Sequence, residues 1–371
     1  MNLYNVTLLA MKRAIRIFAW TVLFLSVVLN ILIVTPYIGR KYSERYPTCF
    51  DSTAEDNVVI NAVLNASMEM DKPVMVTNEP HGFPYDLVEL FRPKRGSSLT
   101  NNFYESYNLV GISYYALKYQ DDHVIKWCTE RADKYIDHNH LNYELKHINQ
   151  VPVGIFFINV YYMTRDKLYL DVASEIYDWL LKRKEQGGGI KYSDGENEYV
   201  DGLGMFVPFL MEYYALTNDT VAKQIAIENI IAYQEYGIDK ETLVPFHGYN
   251  SSTKQKVGSA NWGRGIGWYL LALSYCTDFN SEELYDRICK LPYTQFPLSS
   301  DNFDSSTALF FEVYKHRTKG MELDLDFIRT HIRTNGIVTD CSGDVYNFNN
   351  YNFAFGDSEL CNGLFLMLVS L

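Results

Sequence analysis

The segment YVDGLGMFVPFLMEYYAL, Tyr199–Leu216, decides the fold. After Asp201 the only charge in it is Glu212, and a helix that is apolar on every side has to be buried on every side. Asp201 therefore stands where a wet rim meets a packed interior. A boundary of that kind disfavours an ionised carboxyl and suits it to proton transfer. An Asp followed by Gly is also an ordinary way to cap a helix start, so the segment alone leaves both roles open.

The pattern around this helix recurs. Leu109–Tyr119 (LVGISYYALKY) is followed after a short polar turn by HVIKWCTERADKYID, and Val151–Met163 (VPVGIFFINVYYM) by KLYLDVASEIYDWLLKRK. The Asp201 helix is followed by TVAKQIAIENIIAYQEY, and Ile266–Cys276 (IGWYLLALSYC) by SEELYDRICKL. STALFFEVY from Ser305 leads to DLDFIRTHIRT, and GLFLMLVSL, Gly363–Leu371, closes the chain. In each pair the first helix is apolar all round and the second carries the i, i+3, i+4 stripe of a helix with one wet face. A repeat of about 40–60 residues belongs to helical repeat architectures. An inner ring of buried helices inside an outer ring of amphipathic ones satisfies the pattern, which predicts an all-α fold, an (α/α)6 barrel. The last pair lacks an outer member, and a helix over Ala54–Met70 is expected to supply it. An open solenoid is the alternative, but its helices would not differ so consistently in apolarity.

Composition limits the function. The 371 residues are 47% apolar, enough for one large core. A net charge of −12 argues against nucleic acid, which needs a basic face. The 30 Tyr and 21 Phe fit either stacked sugar rings or packing between inner helices. The six cysteines lack CxxC spacing and read as packing residues.

Three domains are expected: residues 1–44 as a membrane anchor, 45–100 as a linker and wrapping arm, and 101–371 as the helical domain. The anchor holds Lys12, Arg13 and Arg16 ahead of an apolar run, Ile17–Val34, with a span over about 15–36. The run exceeds the usual signal core and no A-x-A-like cleavage site follows, which favours an uncleaved single-pass anchor with an extracytoplasmic C-terminal domain.

In a ring of parallel inner helices the N-terminal ends share one rim. The residues at those ends differ from the bodies that follow: Asn102 and Tyr104; His147, Asn149 and Gln150; Asp201; Trp262, Arg264 and Trp268; Asp304, Ser305 and Ser306; Asp357 and Glu359. Capping accounts for the Asn, Asp and Ser residues, not for Trp262 and Arg264. In the lead-in NWGRGIGWYLLAL, Asn261–Leu273, three glycines permit close backbone approach, and an Arg between two Trp can meet a carboxylate while the rings stack on a sugar. The loops GGGIKYSDGENEYVDG and VPFHGYNSSTKQKVGSANWGRG are expected on the same rim, where His247 either orients a ligand hydroxyl or satisfies a turn.

These stretches, WGRGIGWYLLAL above all, with YVDGLGMFVPFL, HGYN and the TRDKLY-type turns, resemble the unsaturated glucuronyl and rhamnogalacturonyl hydrolases, glycoside hydrolase families 88 and 105, over roughly residues 101–371. The resemblance implies an (α/α)6 barrel and hydration of the Δ4,5-unsaturated uronic acid that polysaccharide lyases leave at a non-reducing end. It marks Asp201 as the general acid/base, with Trp262 and Arg264 on the uronate and Tyr104, His247 and Trp268 shaping the pocket. The substrate is then an oligosaccharide bearing uronic acid, and neither a metal nor an organic cofactor is implied. The chain departs from the family pattern where an aspartate becomes Asn149, a histidine becomes Tyr192 and the aspartate of HGYD becomes Asn250. An amide cannot titrate, which leaves a glycan-binding or assembly protein as a second reading. A third is an inverting glycosidase pairing Asp201 with Asp304 or Glu198.

Overall fold

Helices apolar on all sides are stable only when other helices enclose them, and the computed structural model of the chain encloses them in a ring. It describes residues 3–45, 48–70, 100–184, 189–192, 195–260, 262–279, 303–343 and 355–371, together with Glu283, Arg287, Ile288, Val345 and Phe348. The Pro- and Gly-broken stretch 72–96, Asn261, Cys289 and most of SEELYDRICKL lie outside the described residues.

Among the described residues, the first unit holds one helix, α1, Leu3–Arg45. Its Met11–Leu32 segment has a mean hydropathy of 2.1, and at 1.5 Å per residue it is about 33 Å long, enough to cross a hydrocarbon core of about 30 Å. The apolar run stops before Pro36, but the backbone stays helical to Arg45.

The second unit starts at Cys49. Its helices are α2 (Asp56–Glu69), α3 (Phe103–Tyr119), α4 (Asp122–Asp133), α5 (Val153–Thr164), α6 (Lys167–Leu181), α7 (Val200–Thr217), α8 (Thr220–Tyr236), α9 (Gly263–Tyr275), α10 (Ser305–Lys319), the one-turn α11 (Asp326–Arg329) and α12 (Glu359–Val369). The apolar members α3, α5, α7, α9, α10 and α12 pack each on the next, and α12 packs back on α3 to close the ring. Outside them, α4 lies on α3 and α5, α6 on α5, and α8 on α7. Helix α2 packs on α12 and α3, the outer position the last inner helix required.

One turn joins the first three hairpins. Helices α3, α5 and α7 each end on a left-handed residue, Gln120, Arg165 or Asn218. The next residue is an aspartate, Asp121, Asp166 or Asp219, whose carboxylate accepts from the free N–H groups of the outer helix. On α6 the buried set Tyr169, Val172, Ala173, Ile176 and Leu180 then faces the ring at helical spacing.

The inner helices run in one sense. At one end Gln150, just ahead of α5, donates to the carbonyl of Thr100, just ahead of α3, across 2.8 Å, and Arg264 of α9 donates to Ser306 of α10. At the other end the Tyr114 hydroxyl of α3 donates to Glu212 of α7 across 2.7 Å and lies 3.0 Å from the Tyr275 hydroxyl of α9. The Arg317 guanidinium of α10 covers the Tyr275 ring at 3.8 Å.

Glycines set the spacing of the ring. A Cβ on Gly154 of α5 would overlap Phe209 of α7; one on Gly204 of α7 would overlap Trp268 of α9; one on Gly267 of α9 would overlap Phe310 of α10. Helices α5, α7 and α9 thus each take an aromatic ring from the next inner helix into a glycine notch. At the α12–α3 seam backbone meets backbone: a Cβ on Gly111 would strike the carbonyl of Gly363, and one on Gly363 that of Tyr107.

Two expectations need correction. DLDFIRTHIRT is helical only over Asp326–Arg329. Beyond it Ile332 bridges Val338 and Arg333 bridges Cys49, and the turn at Gly336, with φ 84°, docks on α2 so closely that a Cβ there would strike the Ala62 carbonyl. The rim loops are also not purely irregular. They form short antiparallel sheets: β1 (Ile136–Asp137) with β2 (His140–Leu141), β3 (Asn197–Tyr199) with β4 (Gly248–Asn250) and β5 (Lys256–Val257), and β6 (Cys341–Ser342) with β7 (Phe355–Gly356).

Gly111→Ala and Gly363→Ala are each expected to destabilise the domain by about 1–3 kcal/mol, because neither facing backbone can withdraw like a side chain. Thermal unfolding of each variant, with Gly189→Ala as a control at a glycine where an added Cβ meets nothing nearer than 3.9 Å, measures this.

Candidate active site

Asp201 lies in the first turn of α7 and is 8% exposed. The N-cap position is held by Tyr199, and Asp201 lies inside the helix, two residues beyond it. Its Oδ2 stands 3.4 Å from Nε2 of His247.

The three-stranded sheet makes this contact possible. Tyr199 pairs with Gly248 across β3 and β4, which aligns the starts of α7 and β4. The His247 carbonyl accepts from the Val200 N–H at 2.9 Å, and its own N–H donates to the Ser259 carbonyl at 3.0 Å. Gly258, at φ 79°, supplies the left-handed turn next to Ser259, and a Cβ there would crowd the His247 side chain. Behind His247, the Tyr233 hydroxyl donates to the Phe246 carbonyl at 2.7 Å. Burial holds the Tyr233 phenol well above its usual pKa, and the charge of Asp201 adds to the effect.

Aromatic rings surround the pair. The His247 ring lies 4.5 Å from Trp262 and 5.7 Å from Tyr199, and Tyr199 stacks on Phe348 at 4.5 Å and 12°. Trp262 occupies the N-cap position of α9, and its indole folds back over Gly265, where a side chain would collide with it. On the other flank Tyr192 lies 4.8 Å from Tyr199, and its ring packs against Gly202, the neighbour of Asp201. The Tyr192 hydroxyl donates to Asn149 Oδ1 at 2.9 Å, and His147 meets the Tyr192 ring edge-on at 4.9 Å. Burial holds the His147 imidazole below its usual pKa, and the charge of Arg183 acts in the same direction. A small cavity among Tyr192, Glu198, Gly202, Phe206, Tyr233 and Tyr249 adjoins this side of α7.

The structure therefore brings Asp201, His247 and Trp262 together, with Tyr192 and Asn149 alongside. Arg264 is placed differently. At 1% exposure its Nε donates to Ser306 Oγ at 3.1 Å and its Nη2 to Ser342 Oγ at 3.0 Å, with the Cys341 sulfur at 3.5 Å. Those hydroxyls in turn donate to Asp304, whose two oxygens also take Thr307 and the backbone N–H groups of Ser306 and Ser342. The guanidinium and the Asp304 carboxylate thus share a buried hub that fixes the start of α10 to β6. Trp268 sits one turn below Asp201 against Gly204, Tyr107 and Phe310, and Tyr104 is buried beside Phe103 on α3. Asn250 spends Oδ1 on an Asx turn to Ser252 and Thr253.

Tyr199 and Phe348 were not singled out as site residues. Tyr199 stood inside the decisive stretch, and its place directly before the Asp201 helix was the available signal. Phe348 reaches the site from a distant segment with no local pattern to mark it.

A family model described as Glycosyl Hydrolase Family 88 matches residues 96–287. Among solved structures, a possible member of the GH105 family from Klebsiella pneumoniae superposes with a TM-score of 0.64 at 14% identity, covering 85% of this chain and 93% of that one. An unsaturated glucuronyl hydrolase specific for heparin gives 0.59 at 14% identity, covering 85% and 96%. The unsaturated glucuronyl hydrolase of Bacillus sp. GL1, responsible for glycosaminoglycan degradation, gives 0.58 at 12%, covering 84% and 94%.

Removing the guanidinium leaves Asp304 buried without its counter-charge. Arg264→Met is expected to cost about 3–5 kcal/mol in chemical unfolding, and adding Asp304→Asn is expected to recover part of that loss.

Proposed function

The chain belongs to Glycosyl Hydrolase Family 88 and is a glycoside hydrolase; on that footing we propose that it hydrates the Δ4,5-unsaturated uronic acid at the non-reducing end of lyase-generated oligosaccharides. The observation that carries this reading is the Asp201 carboxyl, 8% exposed at the mouth of a helix buried from Val200 to Leu210 and 3.4 Å from His247. A site of this kind needs one group that first gives a proton and then takes one.

Asp201 in its acid form protonates C4 of the enol ether, and positive charge develops at C5 next to the ring oxygen. Water adds at C5 and returns a proton to the Asp201 carboxylate. The hemiketal at C5 opens the ring, and the hemiacetal left at C1 releases the rest of the oligosaccharide as an alcohol. His247, clamped between Val200 and Ser259, holds the carboxyl of Asp201 in one orientation. Trp262, Tyr199 and Tyr192 give sugar faces an apolar surface, and Asn149 supplies a polar contact. Arg264 fixes the junction of α9 and α10 through Ser306 and Ser342, and Tyr104 and Trp268 form the packed floor.

The conventional inverting alternative has weaker support at Asp304, since both oxygens of that carboxylate already accept hydrogen bonds inside the fold. Helix α1 is proposed as an uncleaved anchor that leaves the hydrolase domain outside the cytoplasm. The lyase products of surface or external polysaccharides would then be met at the membrane.

Asp201→Asn keeps the shape and removes the titratable proton. It is expected to lower kcat on unsaturated uronides by at least about 1000-fold, within the range general acid–base catalysis supplies, with the melting temperature unchanged. The assay is loss of the enol-ether ultraviolet absorbance. Comparable turnover by the variant, or turnover of saturated glycosides alone by the wild type, would overturn the reading. Full-length protein is expected in the membrane fraction and to resist extraction at alkaline pH; release under those conditions would refute the anchor.

A further inference from the structure

Helix α7, which carries Asp201, has Pro208 inside it. A proline in a helix interior gives no N–H to the carbonyl four residues earlier, and its ring presses on that carbonyl. Here the carbonyl is that of Gly204, in the turn that begins with Val200 and Asp201. Gly204 is buried, and a buried acceptor left without a donor is costly. The missing donor comes from across the ring: the Tyr107 hydroxyl of α3 donates to the Gly204 carbonyl. Tyr107 is itself fully buried, and that burial holds its phenol well above its usual pKa, so the proton stays on the donor.

Both partners of this bond are held on their other sides. Tyr107 stands at the α12–α3 seam, where a Cβ on Gly363 would strike its carbonyl, and its ring centre lies 5.4 Å from that of Trp268. Trp268 in turn fills the notch at Gly204. The first turn of α7 therefore lies between two ties. At its start the Val200 N–H donates to the His247 carbonyl at 2.9 Å, and at its end Gly204 is held by Tyr107. In a helix the N–H of residue 204 closes on the carbonyl of residue 200, so Asp201 rides on a turn pinned at both ends.

We infer that Tyr107 is a positioning residue for Asp201: its hydroxyl replaces the helix bond that Pro208 removes, and so fixes the turn that aims the Asp201 carboxyl at the substrate. The inference rests on the hydration reading above and extends it to a residue of α3 that acts through the Gly204 carbonyl and not through the sugar. Closure of the ring thereby reaches the chemistry, since the seam that sets Tyr107 also sets the aim of the acid.

Tyr107→Phe removes the donor and keeps the ring. With the full-length protein and a lyase-generated unsaturated disaccharide it is expected to lower kcat about 10- to 100-fold, as a displacement of order 1 Å does, with KM changed less than about threefold. Pro208→Ala gives residue 208 an N–H for the Gly204 carbonyl. It is expected to keep kcat within about threefold of the wild type and, added to Tyr107→Phe, to restore kcat to that level. A contribution to stability alone would lower the melting temperature of Tyr107→Phe and leave kcat, measured well below that temperature, untouched. That result overturns the inference, as does a loss of kcat that Pro208→Ala does not recover. If Tyr107→Phe fails to fold, Pro208→Ala is compared with Tyr107→Phe/Pro208→Ala: equal kcat upholds the inference, and a drop of about tenfold or more in the double variant overturns it. If the wild type turns over no unsaturated uronide, the hydration reading fails by itself. Hydrogen exchange of the backbone amides of residues 200–207 then reads the turn directly: faster exchange in Tyr107→Phe that Pro208→Ala reverses upholds the tie, and unchanged exchange overturns it.

Discussion

The structure depends on the contact of two helix backbones at Gly111 and Gly363. An (α/α) ring is held by neighbour-to-neighbour packing, so its last helix has to lie against its first with no gap left over. Side chains at that seam would hold α12 and α3 apart, and the mismatch would be passed around the ring. Glycine on both faces removes the obstacle. Elsewhere the spacing is kept by a different device, a ring from one helix filling a glycine notch on the one before: Phe209 on Gly154, Trp268 on Gly204, Phe310 on Gly267. These contacts work because interiors are packed like crystals and transmit small displacements.

Closure has chemical consequences. With the helices parallel and the ring shut, the starts of α5, α7, α9 and α10 are gathered on one rim although they lie far apart in sequence. The sheet β3–β4–β5 then converts proximity into geometry. Its hydrogen bonds tie the residues that flank Asp201 and His247, so the 3.4 Å contact between their side chains follows from backbone pairing. The Arg264 and Asp304 hub performs the same service between α9 and α10, holding two charges out of water where only dense hydrogen bonding makes that tolerable.

Much of this was legible beforehand. The alternation of wholly apolar and one-faced helices led to the ring. Asp201 stood out as a lone carboxyl at the mouth of a greasy helix, although its own segment also fitted an ordinary cap. The short outer helix expected at DLDFIRTHIRT fails for a reason its own residues do not contain: the pairing of Arg333 with Cys49 and the docking of the Gly336 turn on α2. The three-stranded sheet was missed because strands of two or three residues carry no periodicity to read.

The sequence by itself determined the class of fold and the apolar N-terminal helix, since these follow from composition and local spacing, and it drew attention to Asp201. Only the tertiary structure decided where the polar side chains around Asp201 point. Arg264, flanked by tryptophans, has the chemistry of a ligand contact, yet its hydrogen bonds run to Ser306 and Ser342; Asn149 and Tyr192, some forty residues apart, prove to be partners. Hydrogen bonds between distant segments are set by closure of the ring, and no stretch of chain carries that information alone.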